Sequence, residues 1–292
     1  MTKPQDADLH IFVDRPKSFH MQGQYIFQRA LQVLKPAGLD YHVLDYPDAN
    51  LSASVSMVHV DLTVVPDQYF PGKANYRKNL NGDARSIHRL LYSKARISSV
   101  NEYEGPVIVK TVLNHRGLPE LVYRRRHDVL FKLGYLLQGV FDKQAKTRYC
   151  PEYQVYDSAR NVPDQVWQDQ RLMVERFLPG VLTPPIAKCR YDFFLDVCLH
   201  TRVIYDDILA DHGKVREIVH LTEVPQAVMN VRQQLGLDFG SIDYFEVDGQ
   251  AIVVDANKTT TCTDDWLQQY PAVSKYIRNV GLRLVELIKQ NR

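Results

Sequence analysis

Nothing in the 292 residues is apolar for long enough to cross a bilayer, and the opening MTKPQDADLH lacks the basic-then-apolar pattern of a secretory leader. The expectation is a cytoplasmic chain without a membrane partner. Cysteine is scarce. Cys150, Cys189, Cys198 and Cys262 lie far apart, with no CxxC pair and no Cys/His cluster of zinc spacing, which excludes a disulfide scaffold and a zinc module. Charge of one sign is missing too: 36 Lys and Arg against 34 Asp and Glu give +2, so no general attraction to nucleic acid is expected. Any anion site has to be local. A glycine-rich phosphate loop is also absent, since DRPKSFHMQGQ after the first apolar run holds a single glycine, Gly23, and this excludes a dinucleotide fingerprint there.

What is present is enough apolar content, 45%, for a core shared by two or three subdomains. LHIFVD (9–14) reads as a strand, and QYIFQRALQVLKPAG (24–38) as a helix stopped by Pro36 and Gly38. LDYHVLDY (39–46) and VHVDLTVVPD (58–67) read as further strands. Strand, helix, strand in this order predicts a βαβ unit with a parallel sheet over the first 80–100 residues. Residues 66–83 are rich in turn formers and read as a loop, and ARSIHRLLYSKARIS (84–98) has helical spacing. Beyond a boundary near residue 100, GPVIVKTVL (105–113) and RLMVERFLPG (171–180) read as strands and residues 191–210 as a strand pair. Residues 223–236 and 272–290 read as helices, while LVYRRRHDVLFKLGYLLQGVF (121–141) carries mixed signals.

The segment GLDFGSIDYFEVDGQAIVVDANKTT (236–260) alternates like a β-hairpin, yet holds Asp243, Asp255 and Asn257, which are poor strand formers. A two-residue Asp248-Gly249 turn would pair Val247 with Gln250 and send Asp243 and Asp255 to opposite faces. A three-residue loop, with Gly249 left-handed, would pair Glu246 with Gln250 and gather all three on one face. The second register is the expectation, because two carboxylates and an amide carbonyl then converge as hard oxygen donors suited to Mg²⁺. A hairpin that simply carries polar residues on its wet face would show the same pattern.

GPVIVK, MVERFL, LDFGSIDYFEVDG and VVDANKTT, in this order over residues 105–260, resemble the ATP-grasp superfamily of ATP-dependent ligases. The pairing of KTVLN with DANKT is similar to an uncharacterised branch of carboxylate-amine ligase-like proteins in that superfamily. The resemblance implies a mixed α/β and α+β chain: an N-terminal α/β domain (1–100), a lid subdomain (101–178) and a C-terminal subdomain with the metal hairpin (179–292). It implies that Lys110 reaches the inner phosphates of ATP, with Lys94 as an earlier ATP lysine. Val174, Glu175, Arg176 and Phe177 would form the hinge at the adenine, with Glu175 on the ribose hydroxyls or the adenine amino group. Asp243, Asp255 and Asn257 would hold Mg²⁺. Lys258 would contact transferred phosphate or substrate, and Arg190 and Arg202 are the candidates for a catalytic arginine. The sequence departs from the family at three points. Asp255 stands where Glu is usual, the phosphate flap shrinks to NHRGLPE, and neither Arg190 nor Arg202 sits in the usual pattern.

The activity so implied is an ATP- and Mg²⁺-dependent ligase joining a carboxylate to an amine through an acylphosphate. Its substrates would be small molecules or peptides, and a homodimer is compatible with it. A non-catalytic nucleotide-binding protein of the same fold and a phosphotransferase are the alternatives. The dense basic run RRRH (124–127) reads as a solvated face, with an anion site near the lid as the sharper alternative. His10, His20 and His115 are too isolated to be assigned as bases, so deprotonation of the amine has no residue.

Overall fold

The computed structural model describes residues 7–16, 19, 23–137, 150–179, 184–209 and 214–292; His20 and Gly180 lie outside them. Four parallel strands form the first sheet in the order β2-β1-β3-β4: β1 Leu9–Phe12, β2 Tyr41–Leu44, β3 Ala53–Val58 and β4 Tyr76–Leu80. β1 is an unbroken apolar-faced run that is buried on both sides, as a central parallel strand has to be. Helix α1, Ile26–Ala30, buries Ile26, Phe27 and Ala30 and passes into 3-10 turns that end at left-handed Gly38. Three readings change here. β3, Ala53–Val58, lies almost wholly before the stretch 58–67 expected to be a strand. β4 lies inside the stretch expected to be a loop, with Tyr76 and Leu80 buried. Residues 84–98 are a single 3-10 turn, Arg89–Leu91, followed by β5, Arg96–Ile97, rather than a helix. The spacing misleads because Leu90 and Leu91 are exposed while Arg89 is the buried member.

β5 begins a second, antiparallel sheet of order β5-β8-β6-β7, with β6 Val107–Thr111, β7 Gln154–Tyr156 and β8 Leu172–Arg176. The described part of the stretch of mixed signals, up to residue 137, lies in two helices, α2 Leu118–His127 and α3 Val129–Leu137. Its basic run sits on α2 with the arginines exposed: Arg126 donates to the Asp14 carbonyl oxygen at 2.6 Å, and Arg124 lies 4.2 Å over the Phe131 ring.

The third sheet has five antiparallel strands in the order β11-β10-β9-β12-β13: β9 Ile186–Phe194, β10 Val197–Tyr205, β11 Val215–His220, β12 Phe239–Val247 and β13 Gln250–Asn257. A helix, Gln226–Gln234, covers one face through Val228 and Val231. The last helix, Pro271–Gln290, instead returns to the first sheet, joining Leu9, Ile11 and Phe27 to Phe194 and Phe239 in one core. Gly281 permits this contact, because a Cβ there would fall 2.5 Å from the Ala30 carbonyl oxygen. Among the described residues, no helix is long and apolar enough to cross a membrane.

Candidate functional site

Strand alternation sorts the third sheet into a core face and a polar face. Cys189, Tyr191 and Phe193 of β9 and Ile242 and Tyr244 of β12 enter the core, which leaves Lys188, Arg190, Asp192, Ser241 and Asp243 on the other side. The hairpin does not use the three-residue loop. Val247 pairs with Gln250 across a two-residue turn in which Asp248 and Gly249 have φ of 49° and 74°. That register alone would separate the carboxylates. An irregularity further up corrects it: Tyr244 pairs with Val253 but Asp243 pairs with Asp255, so Val254 is an extra residue. This bulge turns Asp255 and Asn257 to the polar face, while Val253 and Ala256, three apart, both reach the core. Asp243 and Asp255 thus stand directly opposite each other.

Two cavities meet at this pair, both lined by His115, Lys188, Asp243 and Asp255. The first, about 480 Å³, opens between the second and third sheets. It holds five lysines and arginines, Arg89, Lys110, Arg116, Arg176 and Lys188, against three carboxylates, Glu175, Asp243 and Asp255, so it carries an excess of positive charge. Lys110 reaches into it from β6 and pairs with Glu175 at 2.7 Å; Glu175 is fully buried and also accepts from Ser93 Oγ at 2.5 Å. Arg176, Phe177 and Leu178 line the same cavity, whereas the Val174 side chain packs with Ile97 and Val109 in the opposite core. The Arg176 and Phe177 amides donate to Ala95 and Pro106, each at 2.8 Å, so they continue the sheet rather than face the cavity.

Each candidate metal ligand already meets a protein donor. Asp243 faces Lys188 at 3.0 Å and Arg190 at 3.5 Å. Asp255 accepts from Arg89 at 2.9 Å, and Asn257 Oδ1 accepts from Asn114 Nδ2 at 2.9 Å. Burial opposes the Lys188 charge, but Asp243 beside it raises the ammonium above its ordinary range. Arg190 is held in the same way, against burial, by Asp192 and Asp243. Among the described residues no group of three or more His, Cys, Asp or Glu side chains gathers to hold a metal. Two facing carboxylates with a neighbouring amide fit Mg²⁺ better than a metal caged by protein alone, because Mg²⁺ keeps waters and phosphate oxygens in its other positions.

The remaining candidates are placed elsewhere. Lys258 is 1% exposed, lines neither cavity and lies 3.4 Å from the Thr63 carbonyl oxygen, so its side chain turns into the core instead of towards a phosphate. Lys94 lines neither cavity, and its carbonyl accepts from Arg176. Arg202 points to the other face of β10 and pairs with Glu246, while Arg190 lines the second cavity and grips Asp192 with two bonds of 2.9 and 3.0 Å. Three residues of the site were not singled out from sequence. Lys188 had a signal, since Lys188, Arg190 and Asp192 alternate with core residues. Arg89 had none: it is buried and ties the carbonyls of Thr111 and Leu113, at 2.8 and 2.5 Å, to Asp255. Asn114 bridges Ala256 and Asn257 from the start of a turn in which His115, Arg116 and Gly117 all have positive φ.

No protein-family model matches the sequence, and no curated protein matches it. Solved structures do. The ATP-grasp ligase PsnB complexed with a minimal precursor, Mg and ADP is 11% identical, with 96% of this chain and 99% of that chain covered at a TM-score of 0.53. PsnB complexed with the precursor peptide PsnA2 and AMPPNP is 10% identical, with 94% and 99% covered and a TM-score of 0.50. The macrocyclase MdnC from Microcystis aeruginosa MRC, bound with precursor peptide MdnA, is 10% identical over 95% and 99%, with a TM-score of 0.49. The chain has the ATP-grasp fold.

Proposed function

We propose that the protein is an ATP- and Mg²⁺-dependent ligase that joins a carboxylate to an amine through an acylphosphate. The observation that carries this reading is the meeting of two cavities at Asp243 and Asp255, one cationic and of nucleotide size, the other lined by a mixture of apolar and polar side chains. ATP would lie in the first, its inner phosphates on Lys110 and its outer ones towards Lys188 and the hairpin. Asp243, Asp255 and Asn257 would hold Mg²⁺, which when bound supplies positive charge between the phosphates. A substrate carboxylate oxygen in the second cavity attacks the γ-phosphorus, and the bond from that phosphorus to the β–γ bridging oxygen breaks, releasing ADP. The amine then attacks the acyl carbon and inorganic phosphate leaves with the acyl oxygen. Lys188 and Arg190, both beside Asp243, would stabilise charge on the transferred group.

Chromatography of nucleotides from turnover mixtures, with hydroxylamine to trap the acyl group, tests the reaction: ADP, free phosphate and a hydroxamate are expected. Substrate-dependent AMP would overturn it, and ADP with a stable phosphorylated substrate would make the protein a phosphotransferase. A non-catalytic nucleotide-binding protein is favoured by a different observation, the ion pairs that Arg89, Lys188 and Arg190 make with the hairpin carboxylates. Nucleotide binding without turnover on any carboxylate and amine would select that reading.

A further inference from the structure

Three cations stand on the hairpin carboxylates, and they are not held alike. Arg89 is buried and is fastened to the Thr111 and Leu113 carbonyls as well as to Asp255, so it has no freedom to leave. Arg190 is fixed by its two bonds to Asp192 and only grazes Asp243, at 3.5 Å. Lys188 has one ion-pair partner among the described residues, Asp243 at 3.0 Å, and lies 5.5 Å from the Tyr205 ring on a flexible four-carbon stem. It also lines both cavities, so its side chain stands between the nucleotide space and the hairpin. The charges decide what this arrangement admits. Arg89, Lys188 and Arg190 balance Asp192, Asp243 and Asp255 one for one, so a divalent cation entering alone would add two uncompensated charges among side chains that are only 4–27% exposed. The first cavity as a whole has five cations against three carboxylates, an excess that a magnesium–triphosphate complex, with about two negative charges, matches.

From this difference we infer that Lys188 is the residue that selects metal-bound nucleotide over free metal. In the nucleotide-free protein it holds Asp243 and keeps a bare divalent cation out. When a triphosphate enters the first cavity, its outer phosphates take the ammonium and Asp243 is released to the metal. The inference rests on the proposed function for the identity of the nucleotide, and goes beyond it in making metal entry conditional on the phosphates. Arg89 and Arg190 stay in place throughout, held by the Thr111 and Leu113 carbonyls and by Asp192. Linkage then requires the nucleotide to tighten the metal by the same factor as the metal tightens the nucleotide.

The test is binding of Mn²⁺ alone, AMPPNP alone and the two together to the full chain, with bound Mn²⁺ read by electron paramagnetic resonance and AMPPNP by calorimetry. Without nucleotide, Mn²⁺ is expected to bind the wild type at least about a hundredfold more weakly than with AMPPNP, and to bind Lys188→Met at least about tenfold more tightly than the wild type. AMPPNP should bind that variant more weakly, so the coupling between metal and nucleotide shrinks from both directions. Lys188→Gln, whose amide still donates to Asp243 without a charge, should behave in the same way and serves if the Met variant does not fold, as judged by circular dichroism. Arg116→Gln is the control, since it removes a positive charge from the same cavity and holds no hairpin carboxylate; it should leave the affinity for Mn²⁺ alone unchanged. Equal Mn²⁺ affinity in the wild type and the Lys188 variants, or an equal gain in Arg116→Gln, would overturn the inference while bound AMPPNP still supports the nucleotide site. Absence of AMPPNP binding would instead overturn the ligase reading, and the titration with Mn²⁺ alone still shows whether Lys188 bars the metal.

Discussion

Lys258 sits in the DANKT motif beside the hairpin ligands, and sequence alone gives no reason to separate it from them. Burial draws its ammonium down from 10.5 to about 7, against the pull of Asp61 and Glu120. Between those two pH values the unfolded chain keeps a proton that the folded chain has lost, so stability falls as pH falls from 10.5 to 7 and levels off below. Lys258→Met is expected to flatten that slope and to stabilise the protein at neutral pH by on the order of 2 kcal/mol. Denaturant titrations at several pH values check this; an unchanged slope would place the ammonium in water. Asp243 shows the opposite case. The sequence treats it as a free ligand, but it balances the buried Lys188, and Asp243→Asn is therefore expected to cost roughly 3 kcal/mol of fold stability besides any loss of metal binding. Thermal unfolding of the variant without Mg²⁺ isolates that cost.

At the scale of the element, the hairpin is the instructive part. Its strands and its polar set were legible from alternation, and its register was not. The convergence of Asp243 and Asp255 depends on a bulge that absorbs one extra residue, Val254, and a bulge within a run of apolar residues leaves no mark on the period-2 pattern. Deleting Val254 is expected to remove the bulge and set Asp255 opposite Asp243 in a regular ladder, which keeps both carboxylates on the polar face and preserves Mg²⁺-dependent nucleotide binding. Hydrogen exchange and calorimetry on the deletion variant would check both; binding lost from a folded variant would contradict the shared face as the basis of the site. Gly240, on β12, is a second hidden device in the same hairpin. A Cβ there would lie 2.2 Å from the Asn257 carbonyl oxygen, so Gly240→Ala should push β13 off β12 and destabilise by about 1–3 kcal/mol, measured by urea unfolding.

For the whole molecule, strands β1, β2, β6 and β8 and the closing helix were legible from apolar runs and periodicity, whereas β3, β4, β5 and β7 were not. What periodicity could not supply was the way distant segments share the site. Arg89, in a stretch read as a helix, ties the end of the Lys110 strand to Asp255, and the last helix packs on the first sheet as well as on Phe194 and Phe239 of the third. Both are contacts of long sequence separation made by residues whose local context is unremarkable. The central claim is that a nucleotide occupies the first cavity with its phosphates at the Asp243–Asp255 pair. Calorimetric titration with AMPPNP, with and without Mg²⁺, on the wild type and Asp255→Asn, tests it most directly. One equivalent should bind with Mg²⁺, at least about tenfold more weakly without it, and the variant should lose most of that Mg²⁺ dependence. No binding, or binding equally tight in EDTA for both proteins, would contradict it.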